Sequence, residues 1–150
     1  MRSAGGEAFA VCANRDDAAG AEQAGTQVVD TAGRLDMLIN CAGAAYLSHF
    51  ADEEPSRWQS MIDTNLTGSL NITHPALQHL TAAASSGRGT ADLVIVGSTA
   101  GRQSISGASV YAATKHALTV WSESLRRELV SSGVRVGLLQ PYAVDNPSRP

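Results

Sequence analysis

Apolar and polar positions along this chain follow two periods. Short, nearly continuous apolar runs at 7–13, 35–40, 91–98 and 134–139 read as strands. Between them lie longer stretches with apolar residues three and four apart, the period of a helix with one buried face. The first helix, over about 16–33, opens on polar Asn14, Arg15, Asp16 and Asp17, is weakened at Gly20 and Gly25, and stops at Gly33. The second runs from about 56 to 84 after an acidic start at 52–55, with Trp58, Met61, Ile62, Leu66, Leu70, Ile72, Leu77 and Leu80 at its apolar positions. Pro75 is expected to bend or interrupt it, because proline lacks the amide hydrogen and crowds the preceding turn. The third covers 110–131 and ends at Ser132-Gly133. Strands alternating with helices predict an α/β fold with a mainly parallel sheet of about four strands and flanking helices. The 35–40 run has the continuous apolar character of a strand buried on both faces. Residues 1–6 read as a frayed lead-in, 44–54 as a loop, 84–90 as a Ser/Gly linker and the end of the chain as a Pro/Asp/Asn/Ser-rich tail.

Length and composition narrow the classes. At 150 residues the chain is one domain's worth, and 43% hydrophobic content supports a globular core. A net charge of −3 gives no sign of a nucleic-acid or anionic-membrane surface. The longest apolar runs are about six residues, far short of a membrane span. Cys12 and Cys41 lie in or beside apolar runs and read as buried, reduced thiols, from which a cytoplasmic location follows. His49, His74, His79 and His116 are scattered, and no metal-ligand spacing is present.

Candidate chemistry concentrates between 91 and 129. Tyr111 and Lys115 are four apart on a predicted helix and so share a face, one turn apart. An ammonium there favours the phenolate form and fits the phenol for proton transfer. The pair alone is a weak signal, since many helices carry one by chance. Ser98 adds a hydroxyl thirteen residues earlier, where an apolar strand gives way to a Gly/Ser-rich loop. The carboxyl ends of parallel strands are where open α/β sheets bind ligands.

Together these residues resemble the active-site core of the classical short-chain dehydrogenase/reductase family, whose pattern is a strand-end serine followed by Tyr-x-x-x-Lys. Asn40-Cys41-Ala42-Gly43 resembles that family's Asn-Asn-Ala-Gly, and Asn65 within Asp63-Thr64-Asn65-Leu66-Thr67-Gly68 resembles the asparagine of its long helix. The resemblance implies one partial Rossmann-like, doubly wound domain over 1–150. It also implies an NAD(P)-dependent oxidoreductase moving hydride between nicotinamide and a carbonyl or secondary alcohol of a small molecule. Tyr111 is then the acid/base, Lys115 its partner and a holder of the nicotinamide ribose, and Ser98 the donor that orients the substrate oxygen. Asn65 would be exposed by a kink and anchor a relay water. Asn40, Ala42, Gly43, Tyr111, Lys115 and Pro141 would line the cofactor site. Asn14 would either contact the adenine ring or only cap a helix. Homo-oligomers are implied through the helices around 56–84 and 110–131. Tyr142 stands where the family usually has glycine, and a side chain there would crowd the cofactor.

The family's Gly-rich T-G-x-x-x-G-x-G turn, which binds pyrophosphate, has no counterpart in this sequence. NAD and NADP therefore stay undistinguished. Two readings follow: a piece of an oxidoreductase, or a catalytically inactive truncated relative acting as an oligomerising or regulatory partner. In the order 3-2-1-4-5-6 the absent strands 1 and 2 would leave 35–40 as a bare apolar edge. The 7–13 strand is expected to move in beside it, giving order 3-4-5-6.

Overall fold

The computed structural model describes residues 5–14, 17–86 and 89–142. Most of the predicted lead-in, Arg15, Asp16, part of the Ser/Gly linker and the C-terminal tail lie outside them. Helix α1 (Ala18–Ala32) leads to strand β1 (Met37–Asn40). Helix α2 (Pro55–Ile62) continues through a π-helical turn at Asp63–Thr67 into α3 (Gly68–Ser85). Strand β2 (Ala91–Val96), helix α4 (Ser109–Glu128) and strand β3 (Val134–Leu139) complete the order. Short 3-10 turns sit at Phe50–Asp52 and Thr99–Gly101.

The three strands form a parallel sheet in the order β1-β2-β3. Its register is pinned at the amino ends, where Asp92 stands opposite Arg135 and accepts two guanidinium hydrogen bonds of 2.8 Å. That hydrogen bonding holds the Arg135 guanidinium above its ordinary value. Exposed pairs of this kind fix geometry more than they add stability.

The core lies between the sheet and one helical layer. Helix α3 packs on the strands, α4 on β3, and α1 on α3. Alternation along β2 shows the reason: Ala91, Leu93 and Ile95 point into the helices and are buried, while Asp92, Val94 and Val96 face the other way. Leu80, Leu118, Leu125, Val134 and Val136 close the same core. Burying a side chain such as Leu93 contributes about 1.5–3 kcal/mol.

Several expectations change here. The 7–13 segment joins no sheet, so the sheet has three strands among the described residues and the order 3-4-5-6 does not form. A short segment gains too little from one ladder to move there without its own packed neighbours. Strand β1 therefore remains an edge, and it is not buried on both faces: Met37 and Ile39 are 49% and 54% exposed. Cys12 and Cys41 are exposed free thiols, not buried ones, because one lies in a segment outside the sheet and the other just past the open edge. Pro75 sits inside α3 without interrupting it. Proline removes one helical hydrogen bond, but Thr73, Ala76, Leu80, Ala83 and Ala84 bury the helix face around it, which outweighs that loss. Glycines 20 and 25 likewise leave α1 continuous, between Asp17, which caps the Ala19 amide, and Gly33 in the left-handed conformation. No helix among the described residues is long and apolar enough to cross a membrane.

Strand burial predicts an asymmetry between faces. Leu93→Ala should cost about 2–5 kcal/mol in denaturant unfolding, whereas Ile39→Ala should stay within about 0.5 kcal/mol. Equal losses at the two positions would contradict the one-sided core.

Candidate active site

The site begins with a helix that changes period. Asparagine competes for backbone groups inside a helix, and here the chain adopts a π turn around Asn65, a feature often found at functional sites. The kink expected at Asn65 takes this form. It does not expose the side chain, which is fully enclosed at 0% exposure. The amide reaches two other segments. Its Oδ1 accepts from the Ala44 amide at 2.7 Å, and its Nδ2 donates to the Ala44 carbonyl at 2.9 Å and to Thr114 Oγ1 at 3.0 Å. Thr114 in turn donates to the Tyr111 carbonyl at 2.8 Å. Asn65 thus ties the loop after β1 to the turn of α4 that carries Tyr111.

Lys115 is the sole lysine of the chain, and it is buried at 5% exposure. A buried ammonium is costly unless it is held by polar partners. Its Nζ donates to the Val96 carbonyl at 3.1 Å, at the carboxyl end of β2, and lies 5.8 Å from the Tyr111 ring centre. A Cβ on Gly43 would stand 3.5 Å from this Nζ and 3.3 Å from Asn65 Oδ1. Gly43, Asn65 and Lys115 therefore meet at one point, which any larger residue at 43 would crowd. Ala42 and Gly43 are themselves exposed.

Ser98 follows two residues after Val96 and is 8% exposed. Its Oγ accepts from the Ala100 amide at 3.2 Å and caps the Thr99–Gly101 turn. That turn lies directly on α4: a Cβ on Gly101 would fall 2.7 Å from the Lys115 carbonyl oxygen. Lys115 Nζ and the Ser98 turn thus lie at the carboxyl end of β2, with the centre of the half-buried Tyr111 ring 5.8 Å from that Nζ.

The remaining candidates are placed differently. The Asn40 side chain is buried and donates to Thr73 Oγ1 at 2.7 Å, so it anchors β1 to α3. Pro141 accepts the Thr99 amide through its carbonyl at 3.1 Å, and Tyr142 is 85% exposed. Asn14 is exposed at the mouth of α1 and accepts the Asp17 amide at 3.2 Å, while capping proper falls to Asp17. Thr114, Thr73, Gly101 and the Val96 carbonyl escaped the sequence reading. Only Thr114 had a signal, its place beside the lysine, and nothing in the sequence pairs it with Asn65.

A family model described as short chain dehydrogenase matches residues 1–149. Ketoacyl reductase HetN of Nostoc sp. is 30% identical over 94% of the chain, which spans 47% of that protein. The chain spans about half the length of the curated relatives it matches. Among solved structures, an NADH-dependent reductase A1-R′ complexed with NAD superposes with a TM-score of 0.86 at 28% identity, covering 96% of this chain and 61% of that one. A short-chain dehydrogenase/reductase of Serratia marcescens gives 0.86 at 30% identity, over 99% of this chain and 58% of its own.

The Asn65 bridge predicts a measurable weakness. Asn65→Ala strands the Ala44 backbone and should cost about 1–3 kcal/mol in denaturant unfolding, with faster amide exchange at Ala44. An unchanged midpoint would show that the bridge carries no load.

Proposed function

Because this chain belongs to the short-chain dehydrogenase family, we propose that its strand-end cluster is the catalytic part of an NAD(P)-dependent oxidoreductase acting on a small carbonyl or secondary alcohol. The observation that carries this reading is the buried Lys115 ammonium, seated against Val96 and Gly43 with the Tyr111 ring beside it. The exposed Ala42-Gly43 backbone fits a flat ligand approaching the strand ends, and the opening left by the absent Cβ at 43 leads to the lysine. A nicotinamide dinucleotide, NAD or NADP, supplies or takes up the hydride when bound.

The chain's own residues do the rest. Tyr111 gives a proton to the substrate oxygen in reduction and takes it back in oxidation. Lys115 stabilises the phenolate that this leaves and offers donors to the ribose. The Ser98 hydroxyl donates to the same substrate oxygen and orients it. Asn65 keeps the Ala44 loop and the Tyr111 turn in register and thereby holds the relay geometry. Asn40 and Pro141 support the cofactor side from the strand ends, and Asn14 contributes at its adenine end. The two exposed, unbridged cysteines suit the reducing cytoplasm.

Calorimetry with NADH and NADPH tests the reading. One of the two is expected to bind; in a complete enzyme that also carries the Gly-rich turn, Tyr111→Phe should retain binding while lowering turnover by about a hundredfold or more, whereas the 150-residue chain by itself is expected to turn over little. Failure of both cofactors to bind would favour the inactive, partner-forming relative.

We also infer that two copies associate through α2, α3 and α4. Phe50, Ile62, Leu66, Val110, Ala113 and Ala117 line a groove of about 470 Å3 between the end of α2, the π turn and the start of α4, and Phe50 and Val120 are 68% and 63% exposed. Ala113→Glu should convert a dimer to a monomer in sedimentation velocity without changing the far-UV spectrum. A wild-type chain that is monomeric throughout would refute the association.

A further inference from the structure

Behind the catalytic cluster, one hydroxyl meets three segments. Thr119 Oγ1 lies 3.0 Å from the Lys115 carbonyl and 3.4 Å from the Gly101 carbonyl, and it accepts from Gln140 Nε2 at 3.2 Å. Gln140 follows β3 immediately, next to Pro141. Gly101 belongs to the Ser98 turn, and Lys115 lies one turn earlier on α4. A hydroxyl has one proton. Donation from Gln140 fixes the oxygen as acceptor and leaves that proton for the two carbonyls, with the nearer one, on Lys115, favoured.

The steric setting is specific to this arrangement. A Cβ on Gly101 would fall 2.9 Å from Thr119 Oγ1, and a Cβ on Gly97 would lie 3.5 Å from Gln140 Cγ. Gly101 allows the Ser98 turn to approach α4, while at Gly97 the tight neighbours of a Cβ would be Leu138 Cδ1 at 3.1 Å and the Leu139 carbonyl at 3.3 Å, with Gln140 Cγ in ordinary contact. The backbones already converge: Gly97 donates to the Leu139 carbonyl at 2.7 Å and Thr99 to the Pro141 carbonyl at 3.1 Å. A threonine that merely bonds back to its own helix needs no glutamine from another segment.

We propose that Thr119 and Gln140 form a positioning clasp, which sets the Lys115 turn and the Ser98 turn relative to the loop at Pro141. The role rests on the oxidoreductase reading; the clasp itself does not. Neither residue touches the reacting atoms. Each acts by fixing the distance between the segments that hold proton-transfer groups and the segment on the cofactor side.

The single lysine makes the test direct, since selective 13Cε-lysine labelling of the full chain yields one side-chain signal, that of Lys115. In Thr119→Val, and independently in Gln140→Leu, that signal should move. Amide exchange at Gly97 and Thr99 should quicken by about tenfold, and affinity for NADH or NADPH should fall by about the same factor, as for one lost hydrogen bond. Thr119→Ser keeps the hydroxyl and should restore all three. An unmoved lysine signal in both disruptive variants, or a serine variant as altered as the valine one, overturns the clasp. If Thr119→Val does not fold, Gln140→Leu decides. A wild-type chain that binds neither dinucleotide favours the inactive relative over the oxidoreductase reading, while the lysine signal still decides the clasp.

Discussion

A charge held away from water is what this arrangement depends on. The Lys115 ammonium is buried at 5% exposure where the end of β2, the loop after β1 and helix α4 meet. Such a group is tolerated only with polar atoms placed around it. The Val96 carbonyl is free to serve because the strand ladder ends there and the chain turns into the Ser98 cap. Gly43 leaves space that a side chain would fill. A buried cation thus requires the strand end, the glycine and the helix phase to coincide.

The Asn65 π turn meets that requirement from the other side. An α-helix through 55–85 would present a different phase on either side of residue 65, because a π turn inserts one extra residue. With the insertion, α2 and α3 keep their packing while the Asn65 amide reaches Ala44 and Thr114. The helix gives up regularity, and the loop beneath the lysine gains a fixed position. The buried amide is well satisfied by these three bonds, which is why an asparagine, poor in helix interiors, is stable here.

Exposed apolar surface is the counterpart of this one-sided core. Met37, Ile39 and Leu139 point away from the helices and remain open, and β1 forms an edge of the sheet. Parallel sheets are ordinarily covered on both faces. The stability of the described residues rests on the α3 and α4 layer, and the catalytic candidates sit at the end of the sheet that this layer supports. Rigid placement of the site is therefore compatible with an open opposite face.

Sequence alone located most of the elements and nominated the cluster. The period of the apolar residues located three paired strands and the helices, because local burial pattern and backbone geometry share one repeat. Spacing alone put Tyr111 and Lys115 on one face, and the strand-to-loop change placed Ser98 nearby. Pairing and burial were decided by tertiary structure. The 7–13 run has strand character, but a ladder needs a neighbour that local sequence does not provide, and the exposure of Cys12, Cys41, Met37 and Ile39 follows from which faces find cover. Pro75 stayed helical because packing outweighed propensity. The Asn65–Thr114 and Thr119–Gln140 bonds join residues 49 and 21 positions apart, and contacts at such separations leave no periodic trace in the chain that makes them.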